Sequence, residues 1–349
     1  MYKHFVRPIL FKFNAETAHH ITISSLKLLR YIPFAKYILK RLFTLDDKKL
    51  RKDILGMVFN NPIGLAAGLD KDAECFDMLS HMGFGFIEIG TLTPIGQPGN
   101  PKPRLFRIIP DQAIINRMGF NNKGVNNAIK NIKRLRKSCL KGTVIGGNIG
   151  KNSSTSNEDA PKDYLEVFKS LYDYLDYFTI NVSCPNVKDL CGLQNRESVS
   201  NIIKDIVDYR ELQIIRKPIF LKISSDLEYN QIDMMVDVAS EYNIDGIVAV
   251  NTTTKRHMLD SLTNSEIEAI GRGGMSGKPL TERAVSIVKH ISEYTGGNMP
   301  IIGVGGIMTP EDGARMIEAG ASLIQIYSGF IYNGPSFPKA ICKEISQRL

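Results

Sequence analysis

Eight short apolar runs rich in β-branched residues recur between residues 62 and 329, and longer stretches with helical spacing separate them. Continuous apolar runs of this length are typical of parallel strands that are buried on both faces. The runs are Pro62–Ala67, Phe86–Thr91, Val144–Gly150, Tyr177–Ser183, Ile219–Ser224, Gly246–Thr252, Pro300–Gly306 and Leu323–Gly329. Eight such strands alternating with helices predict an α/β fold, the (β/α)8 TIM barrel. The competing doubly wound sheet is disfavoured because no G-x-G-x-x-G motif follows the first run.

The first 45 residues have a different pattern, which predicts two short amphipathic helices. Asn14 is a suitable N-cap for the first helix, and Glu16 lies in its first turn, where the helix dipole favours an acidic side chain. Pro33 ends this helix and can begin a second one over Phe34–Phe43. The chain is therefore expected to have an N-terminal helical extension ahead of the barrel.

The net charge of +8 is concentrated in this extension. Residues 1–43 hold eight Lys or Arg and one acidic residue, a net charge of +7. We place the boundary between a helical extension, residues 1–45, and a barrel domain, residues 46–349. The sequence contains no nucleic-acid-binding motif, so a basic and apolar extension indicates an anionic membrane surface as its partner. The alternative is a helical hairpin that packs on the barrel away from lipid.

The lack of targeting signals and the spacing of the cysteines indicate the cellular location of the protein and the state of its thiols. No apolar run reaches the ~18 residues of a spanning helix, and no signal-peptide pattern is present. These features predict a peripheral protein on the cytoplasmic face of the (inner) cell membrane. The five cysteines have no spacing typical of a metal site, so free thiols and no metal are expected.

Polar residues and glycines follow most of the predicted strands. The carboxyl ends of the strands form the active-site face of a TIM barrel, so these residues are expected to converge on a binding site. Glycines follow the seventh strand, and Tyr-Ser-Gly (residues 327–329) ends the eighth. These two loops are the usual phosphate position of the fold, which predicts a phosphorylated ligand.

Two strand ends carry reactive side chains. Lys222 ends the fifth strand, where it could stabilise negative charge on a ligand or pair with a loop carboxylate. The segment Asn181-Val-Ser-Cys-Pro-Asn186 sets Cys184 between two amide side chains, and Pro185 favours an extended backbone at that thiol. A thiol in such a position can act as a general base.

The chain resembles the dihydroorotate dehydrogenase family, and specifically its quinone-using class (class 2), through nearly its whole length. The N-terminal helical extension is itself a mark of that class. The motifs that carry the resemblance are Gly64-Leu-Ala-Ala-Gly-Leu-Asp-Lys71, Glu88-Ile-Gly-Thr91, Pro103-Arg-Leu-Phe-Arg107, Asn116-Arg-Met-Gly-Phe-Asn-Asn122, Asn148-Ile-Gly-Lys-Asn152 and Gly303-Val-Gly-Gly306.

The resemblance implies an enzyme that oxidises (S)-dihydroorotate to orotate with FMN and passes the electrons to a membrane quinone, in de novo pyrimidine biosynthesis. It implies FMN contacts at Ala67, Gly68, Leu69, Asp70, Thr91, Asn148, Asn181, Lys222, Val250, Gly277, Gly306, Tyr327 and Ser328. It implies substrate contacts at Lys71, Asn116, Arg117, Met118, Gly119, Phe120, Asn181, Asn186, Asn251 and Thr252. Cys184 would be the catalytic base, and the quinone would approach near His19, Arg107 and Tyr327.

The sequence departs from the pattern of the quinone class at its base. That class typically has serine where this chain has Cys184, and the soluble class has cysteine. Val250 and Val187 stand where threonine is usual. The alternatives are a soluble-class dihydroorotate dehydrogenase that uses fumarate or NAD, and a non-catalytic barrel that binds membranes. The sequence leaves the oligomeric state open and is compatible with a monomer.

Overall fold

The computed structural model describes residues 2–183, 186, 193 and 195–349. Within these residues the strands are β1 (Lys52–Ile54), β2 (Met57–Phe59), β3 (Ile63–Leu65), β4 (Phe86–Leu92), β5 (Ile95–Gln97), β6 (Leu105–Ile108), β7 (Ala113–Asn116), β8 (Asn122–Gly124), β9 (Val144–Ile149), β10 (Tyr177–Asn181), β11 (Ile219–Ile223), β12 (Gly246–Ala249), β13 (Gly274–Gly277), β14 (Ile301–Val304) and β15 (Leu323–Ile326). The α-helices are α1 (Arg7–Phe11), α2 (Ala15–Leu29), α3 (Ala35–Phe43), α4 (Phe76–Leu79), α5 (Val125–Leu135), α6 (Ala160–Leu171), α7 (Arg196–Glu211), α8 (Tyr229–Glu241), α9 (Asn264–Ile270), α10 (Thr281–Tyr294), α11 (Pro310–Glu318), α12 (Ser328–Asn333) and α13 (Phe337–Arg348).

Eight parallel strands close into a barrel in the order β3-β4-β9-β10-β11-β12-β14-β15, with β15 pairing back onto β3. The predicted (β/α)8 fold is confirmed, and every barrel strand coincides with one of the eight apolar runs, although β4 extends one residue beyond its run, to Leu92. Several strands end before their runs do. The last residues of those runs leave the sheet at the barrel mouth, where they become available to a ligand.

Aromatic side chains fill the opposite, N-terminal end of the barrel. The Phe86 ring lies 5.5 Å from that of Phe59 on the β1–β2 hairpin, and the Tyr177 ring lies 5.5 Å from that of Phe220. Gly146 on β9 makes room for this layer, since a Cβ atom there would lie 2.0 Å from the Tyr177 ring. The barrel is thus closed at this end, and any ligand must enter at the mouth.

The two long connections of the barrel form small antiparallel sheets at the mouth, which the sequence did not predict. Strands β6, β7 and β13 form one sheet, with Asn116 paired to Gly274, and β5 pairs with β8. Residues 92–143 and 253–299 therefore build one rigid wall together. Their pairing joins segments more than 150 residues apart in sequence, which local patterns do not reveal.

The N-terminal extension contains the two predicted helices, α2 and α3, and a short helix α1 that was not predicted. Asn14 caps α2 as expected, since its side-chain oxygen accepts from the backbone N–H of Thr17 at 2.8 Å. Leu26 and Ala35 of these helices are buried. No helix among the described residues is long and apolar enough to cross a bilayer.

Ion pairs fasten the extension to the barrel. Arg30 donates two hydrogen bonds to the carboxylate of the fully buried Asp77, and Lys36 lies 3.3 Å from the same carboxylate. Lys27 pairs with Glu74 at 3.1 Å. Three of the eight basic residues of the extension therefore face carboxylates of the barrel. The positive charge that the extension can offer to a membrane is smaller than its sequence indicates.

The outer side of the extension is apolar. Nine of its large hydrophobic side chains are at least half exposed: Phe5, Ile9, Leu28, Tyr31, Ile32, Phe34, Tyr37, Ile38 and Leu42. So many exposed apolar side chains within one short extension are unusual for the surface of a soluble monomer and are typical of an interaction site. The alternative of a helical hairpin packed on the barrel explains the side of the extension that contacts the barrel. It does not explain why the other side exposes apolar side chains to solvent.

Candidate active site

A deep cavity opens at the barrel mouth and reaches under the N-terminal extension. Its empty volume is about 1220 Å³, including the opening to solvent. The predicted site residues that line it are His19, Ala67, Gly68, Lys71, Thr91, Asn116, Met118, Gly119, Phe120, Asn181, Asn186, Lys222, Val250, Asn251, Thr252, Gly277, Gly306, Tyr327 and Ser328.

Asparagine side chains at three strand ends form one hydrogen-bonded set. Asn181 donates to the Asn148 oxygen at 3.0 Å and to the Thr91 hydroxyl at 3.2 Å. The Thr91 hydroxyl donates to the same Asn148 oxygen at 2.5 Å. Asn251 donates to Ser183 Oγ at 3.0 Å and lies 3.4 Å from Asn181 Oδ1. The amides at the mouth therefore hold one another in fixed orientations.

A second set of hydrogen-bonded asparagines, Asn100, Asn116 and Asn186, lies at the mouth on the side of the two long connections. Asn186 Nδ2 donates to Asn116 Oδ1 at 2.9 Å. Asn100 Nδ2 holds the backbone carbonyls of Asn186 and Arg117 at 3.0 and 2.9 Å. The buried Asn186 Oδ1 has no hydrogen-bond partner among the described residues. An orphaned acceptor in a cavity wall is a position where a ligand N–H group can bind.

Arg104 links this second set of asparagines to the N-terminal extension. Its guanidinium is buried and donates to both carboxylate oxygens of Glu16 in α2, the shortest contact being 2.8 Å. It also donates to the carbonyls of Pro98 and Asn100 at 2.6 and 2.9 Å. Burial raises the pKa of Glu16, but the hydrogen bonds and charge of Arg104 outweigh it and the pKa is lowered overall. The extension and the mouth are therefore mechanically connected.

Two ionisable side chains of the cavity have strongly shifted pKa values. Burial lowers the pKa of Lys71 to about 8, although Asp72 and Glu16 act in the opposite direction. Burial also lowers the pKa of His19 well below its ordinary value, and the positive charge of Lys71 adds to this effect. His19 is therefore a neutral imidazole at neutral pH, and Lys71 retains most of its charge there.

Comparison with known proteins bears on the identity of this site. Residues 49–349 match the family model described as dihydroorotate dehydrogenase. The chain is 46% identical to a dihydroorotate dehydrogenase (quinone) of Christiangramia forsetii, over 100% of this chain and 98% of that protein. It is 42% identical to the protein of the same name from Methylobacillus flagellatus, over 97% of this chain and 98% of that one.

The chain belongs to the dihydroorotate dehydrogenase family. Among solved structures, it resembles DHODH from Eimeria tenella in complex with ferulenol, with a TM-score of 0.87, 34% identity, and coverage of 98% of this chain and 94% of that one. The ligand-free form of that enzyme gives a TM-score of 0.84 at 36% identity, over 94% of this chain and 93% of that one. The resemblance read from the motifs is thereby confirmed.

Membership of the dihydroorotate dehydrogenase family implies a flavin cofactor, and the cavity fits one. Gly305 and Gly306 line one end with φ values of 124° and 71°, which glycine adopts without strain. The hydroxyls of Ser276 and Ser328 lie 2.8 Å apart at the same end. Small residues and hydroxyl donors suit a phosphate there, while Lys222 and the amides suit the polar edge of a ring system.

Five predicted contact residues are described but do not line the cavity: Leu69, Asp70, Asn148, Arg107 and Arg117. Leu69 is buried in the core. Asp70 accepts from the backbone N–H groups of Glu74 and Cys75, and burial raises its pKa to about 6. Asn148 lies one layer below the cavity, where it supports Thr91 and Asn181. These residues can act on a ligand only through their neighbours or their backbone.

The two arginines serve the loops around the cavity. Arg107 donates to the carbonyls of Leu10, Phe11 and Phe13 at the end of α1, with its guanidinium 4.4 Å from the centre of the Phe11 ring. Arg117 donates to the carbonyls of Pro103 and Ile270. Arg107 therefore holds the extension in place, and Arg117 joins the two long connections.

Cys184 lies outside the described residues, so the predicted base stays a prediction. Its described neighbours are held firmly, since Ser183 Oγ donates to Asn181 Oδ1 at 3.2 Å and accepts from Asn251. Three other cysteines, Cys75, Cys139 and Cys342, are free thiols.

Sequence reasoning missed several residues of the cavity wall, among them Leu105, Ser276, Met308 and Gln325. Gln325 could have been found, because strand alternation turns it to the same side as the strand-end residue Tyr327. Leu105 and Ser276 belong to the antiparallel sheet of the long connections, and nothing in their local sequence indicates that sheet.

Proposed function

We propose that the protein oxidises (S)-dihydroorotate to orotate with FMN and passes the electrons to a membrane quinone, as a step of de novo pyrimidine biosynthesis. The observation that carries this proposal is the single cavity that connects the amides of the barrel mouth with His19 of the N-terminal extension. A substrate at the mouth and a quinone under the extension would both have access to one cofactor between them. The names of the relatives point to the same pair of substrates.

Dihydroorotate is a small cyclic diamide that bears a carboxylate, and the polar groups of the mouth complement it. Lys71 offers a positive charge for the carboxylate, and Asn116, Asn186 and Asn251 offer amide donors and acceptors for the ring. The orphaned Oδ1 of Asn186 would accept from a ring N–H. We assign the removal of the proton at ring carbon five to Cys184, whose thiol would act as the general base.

FMN is proposed instead of FAD, because the glycine and serine end of the cavity suits one terminal phosphate and the sequence has no dinucleotide fingerprint. Bound FMN would supply the two-electron chemistry that connects dihydroorotate to the quinone. The positive charge of Lys222 would stabilise negative charge on the flavin ring, and Thr91 and Asn181 would bind the polar edge of that ring. Gly277, Gly306 and Ser328 would surround the phosphate.

The membrane proposal rests on the exposed apolar side chains of the extension. We propose that these side chains insert into the interface on the cytoplasmic face of the (inner) cell membrane. Lys3, Arg7, Lys12, Lys40 and Arg41 are the basic residues of the extension without a carboxylate partner among the described ion pairs, and they would add attraction to anionic lipids.

A visible spectrum of the purified protein, before and after anaerobic dihydroorotate, tests the proposal. The expected result is a flavin spectrum that bleaches, with faster turnover by quinone than by fumarate or NAD. Preference for fumarate or NAD would support the soluble class. A colourless protein that binds liposomes would support the non-catalytic barrel.

The lowered pKa of Lys71 predicts a pH dependence of substrate binding. Deprotonation removes the charge that would pair with the ligand carboxylate, so affinity is full below pH 8 and falls as the pH rises through about 8. The loss should approach about tenfold for each further pH unit. Orotate titrations followed by the flavin absorbance measure it. Lys71→Arg should flatten this profile up to pH 10, because guanidinium stays charged; an equally steep profile in that variant would exclude Lys71 as its source.

Lys222→Ala is expected to weaken flavin binding or slow flavin reduction by about tenfold, because the ring loses a buried counter-charge. Lys222 is almost fully buried in the cavity wall. The exposed Lys343 on α13 provides the matched control, and Lys343→Ala should behave as wild type. A folded Lys222→Ala protein with wild-type flavin content and reduction rate would refute the role given to Lys222.

A further inference from the structure

The interior of the barrel contains a buried carboxylate at a level that TIM barrels usually fill with branched apolar side chains. Glu88 on β4 is fully buried. Its Oε1 accepts from Asn148 Nδ2 at 2.7 Å. Its Oε2 accepts from Gln325 Nε2 at 2.8 Å, Thr179 Oγ1 at 3.0 Å and the Tyr177 hydroxyl at 3.1 Å. Four donors from three other strands therefore converge on one carboxylate.

This carboxylate determines how the amide of Asn148 is turned. An ionised carboxyl group only accepts hydrogen bonds, so Asn148 must direct its NH2 group down to Glu88 and its oxygen up toward the mouth. The upward oxygen accepts from Thr91 and from Asn181 Nδ2. The orientation of the Asn148 amide thus fixes the hydrogen bonds of Thr91 and Asn181, which line the cavity.

The orientation of Asn148 also determines the orientation of the amides at the rim of the mouth. Because the NH2 group of Asn181 is committed to Asn148 and Thr91, its oxygen faces Ser183 and Asn251. The Asn251 NH2 group donates toward that oxygen, and the Asn251 oxygen accepts from the backbone N–H of Thr252 at 2.8 Å. Each amide in the series has one orientation that satisfies its neighbours, and reversing the first would reverse the others.

Glu88 also orients a second amide of the cavity wall. Gln325 commits its NH2 group to Glu88, and its Oε1 is buried without a hydrogen-bond partner among the described residues. Gln325 lines the cavity, so its unpaired Oε1 can accept a hydrogen bond from an N–H group of a ligand. Two separate amides therefore take their direction from one carboxylate.

We propose that Glu88 is a positioning residue that sets the donor and acceptor pattern of the barrel mouth, and through it the recognition of the polar edge of the bound ring system. Glu88 acts through Asn148 and Gln325 and does not line the cavity itself. The inference rests on the proposed binding of FMN. Its consequence is that a substitution one layer below the cavity changes flavin affinity without removing any residue of the cavity wall.

Glu88→Gln tests this inference, because it keeps the size of the side chain and replaces an acceptor by a donor. One of the two amides would then face an NH2 group and turn over. The affinity of the apoprotein for FMN, measured by quenching of flavin fluorescence, is expected to fall by about tenfold. The visible flavin bands of the reconstituted protein should also shift, since the amides around the ring are rearranged.

Tyr177→Phe is the matched control. It removes one donor to the same carboxylate from the same layer and leaves Asn148 and Gln325 bound to Glu88. Its melting temperature should fall while its FMN affinity stays at the wild-type value. If Glu88→Gln lowers the melting temperature in the same way and keeps wild-type FMN affinity and spectrum, Glu88 is merely structural and the inference is wrong.

Glu88→Asp covers the case in which the glutamine variant does not fold. Aspartate keeps the charge but is one methylene shorter, so it cannot hold both amides, and FMN affinity should fall severalfold. Wild-type affinity in a folded Glu88→Asp protein would overturn the inference. A wild-type chain that binds no flavin would instead refute the proposed function, so the two failures are distinguishable.

Discussion

Cys184→Ala is expected to slow flavin reduction by dihydroorotate by roughly two to four orders of magnitude, the usual contribution of general acid–base catalysis. Stopped-flow measurement of flavin bleaching, under anaerobic conditions and with saturating substrate, gives this rate without a contribution from the quinone. Binding of orotate should change little, because the amides and Lys71 that we assign to the ligand remain. A wild-type rate of reduction in the alanine variant would place the base elsewhere.

Two further variants separate the chemistry of this thiol from its place in the chain. Cys184→Ser should keep part of the activity with an optimum at higher pH, since a hydroxyl ionises less readily than a thiol. Cys191→Ala removes a second thiol from the same stretch of sequence and should reduce its flavin at the wild-type rate. A large loss in Cys191→Ala would show that this stretch tolerates no substitution and would undermine the assignment of Cys184.

The barrel could be predicted from the sequence because its strands are buried on both faces and therefore appear as uninterrupted apolar runs. The same rule explains why β1, β2 and the antiparallel sheets were missed. Strand β7 has only four residues, and it is recognisable only next to β13, which lies more than 150 residues away in sequence. Such short strands depend on tertiary pairing and carry little signal of their own.

Part of the cavity wall followed from one topological rule, that strand ends meet at the barrel mouth, and most of the other predicted lining residues came from the family resemblance. Thr91, Asn181, Lys222 and Asn251 are residues of this kind, and they line one cavity. Glu88 could not be recognised in the same way, although it belongs to a motif that the resemblance used. It lies in the middle of β4, and only the four side chains that converge on it reveal its role.

The interaction between extension and barrel was also beyond the reach of local patterns. The predicted FMN and dihydroorotate contacts lie after residue 60, so the sequence alone suggests that a barrel without its extension would keep them. The structure argues otherwise, because removing Glu16 would leave the buried Arg104 without its carboxylate. Loss of one partner of a buried ion pair typically costs about 3–5 kcal/mol. Deletion of the extension is therefore a poor test of membrane binding.

Substitution of exposed apolar residues tests membrane binding without disturbing that ion pair. Leu28, Phe34 and Ile38 are each more than half exposed, and none of them lines the cavity. The triple variant Leu28→Ser, Phe34→Ser, Ile38→Ser should lower partitioning into liposomes by at least about a hundredfold, since even partial burial of each side chain is worth about 1 kcal/mol. Flavin bleaching by dihydroorotate should be unchanged, while turnover of long-chain quinones should fall.

A charge variant, Lys3→Gln with Lys12→Gln and Lys40→Gln, distinguishes apolar insertion from electrostatic attraction. Each of these lysines is worth about 1 kcal/mol near an anionic surface at low salt, and that contribution is screened as salt rises. The charge variant should therefore bind anionic liposomes weakly at low salt and match wild type at high salt or on uncharged liposomes. The serine variant should bind weakly under all of these conditions, because burial of apolar area does not depend on charge. If the serine variant binds liposomes and turns over long-chain quinones as wild type does, the apolar side of the extension is not the membrane contact, and the quinone reaches the cavity by another route.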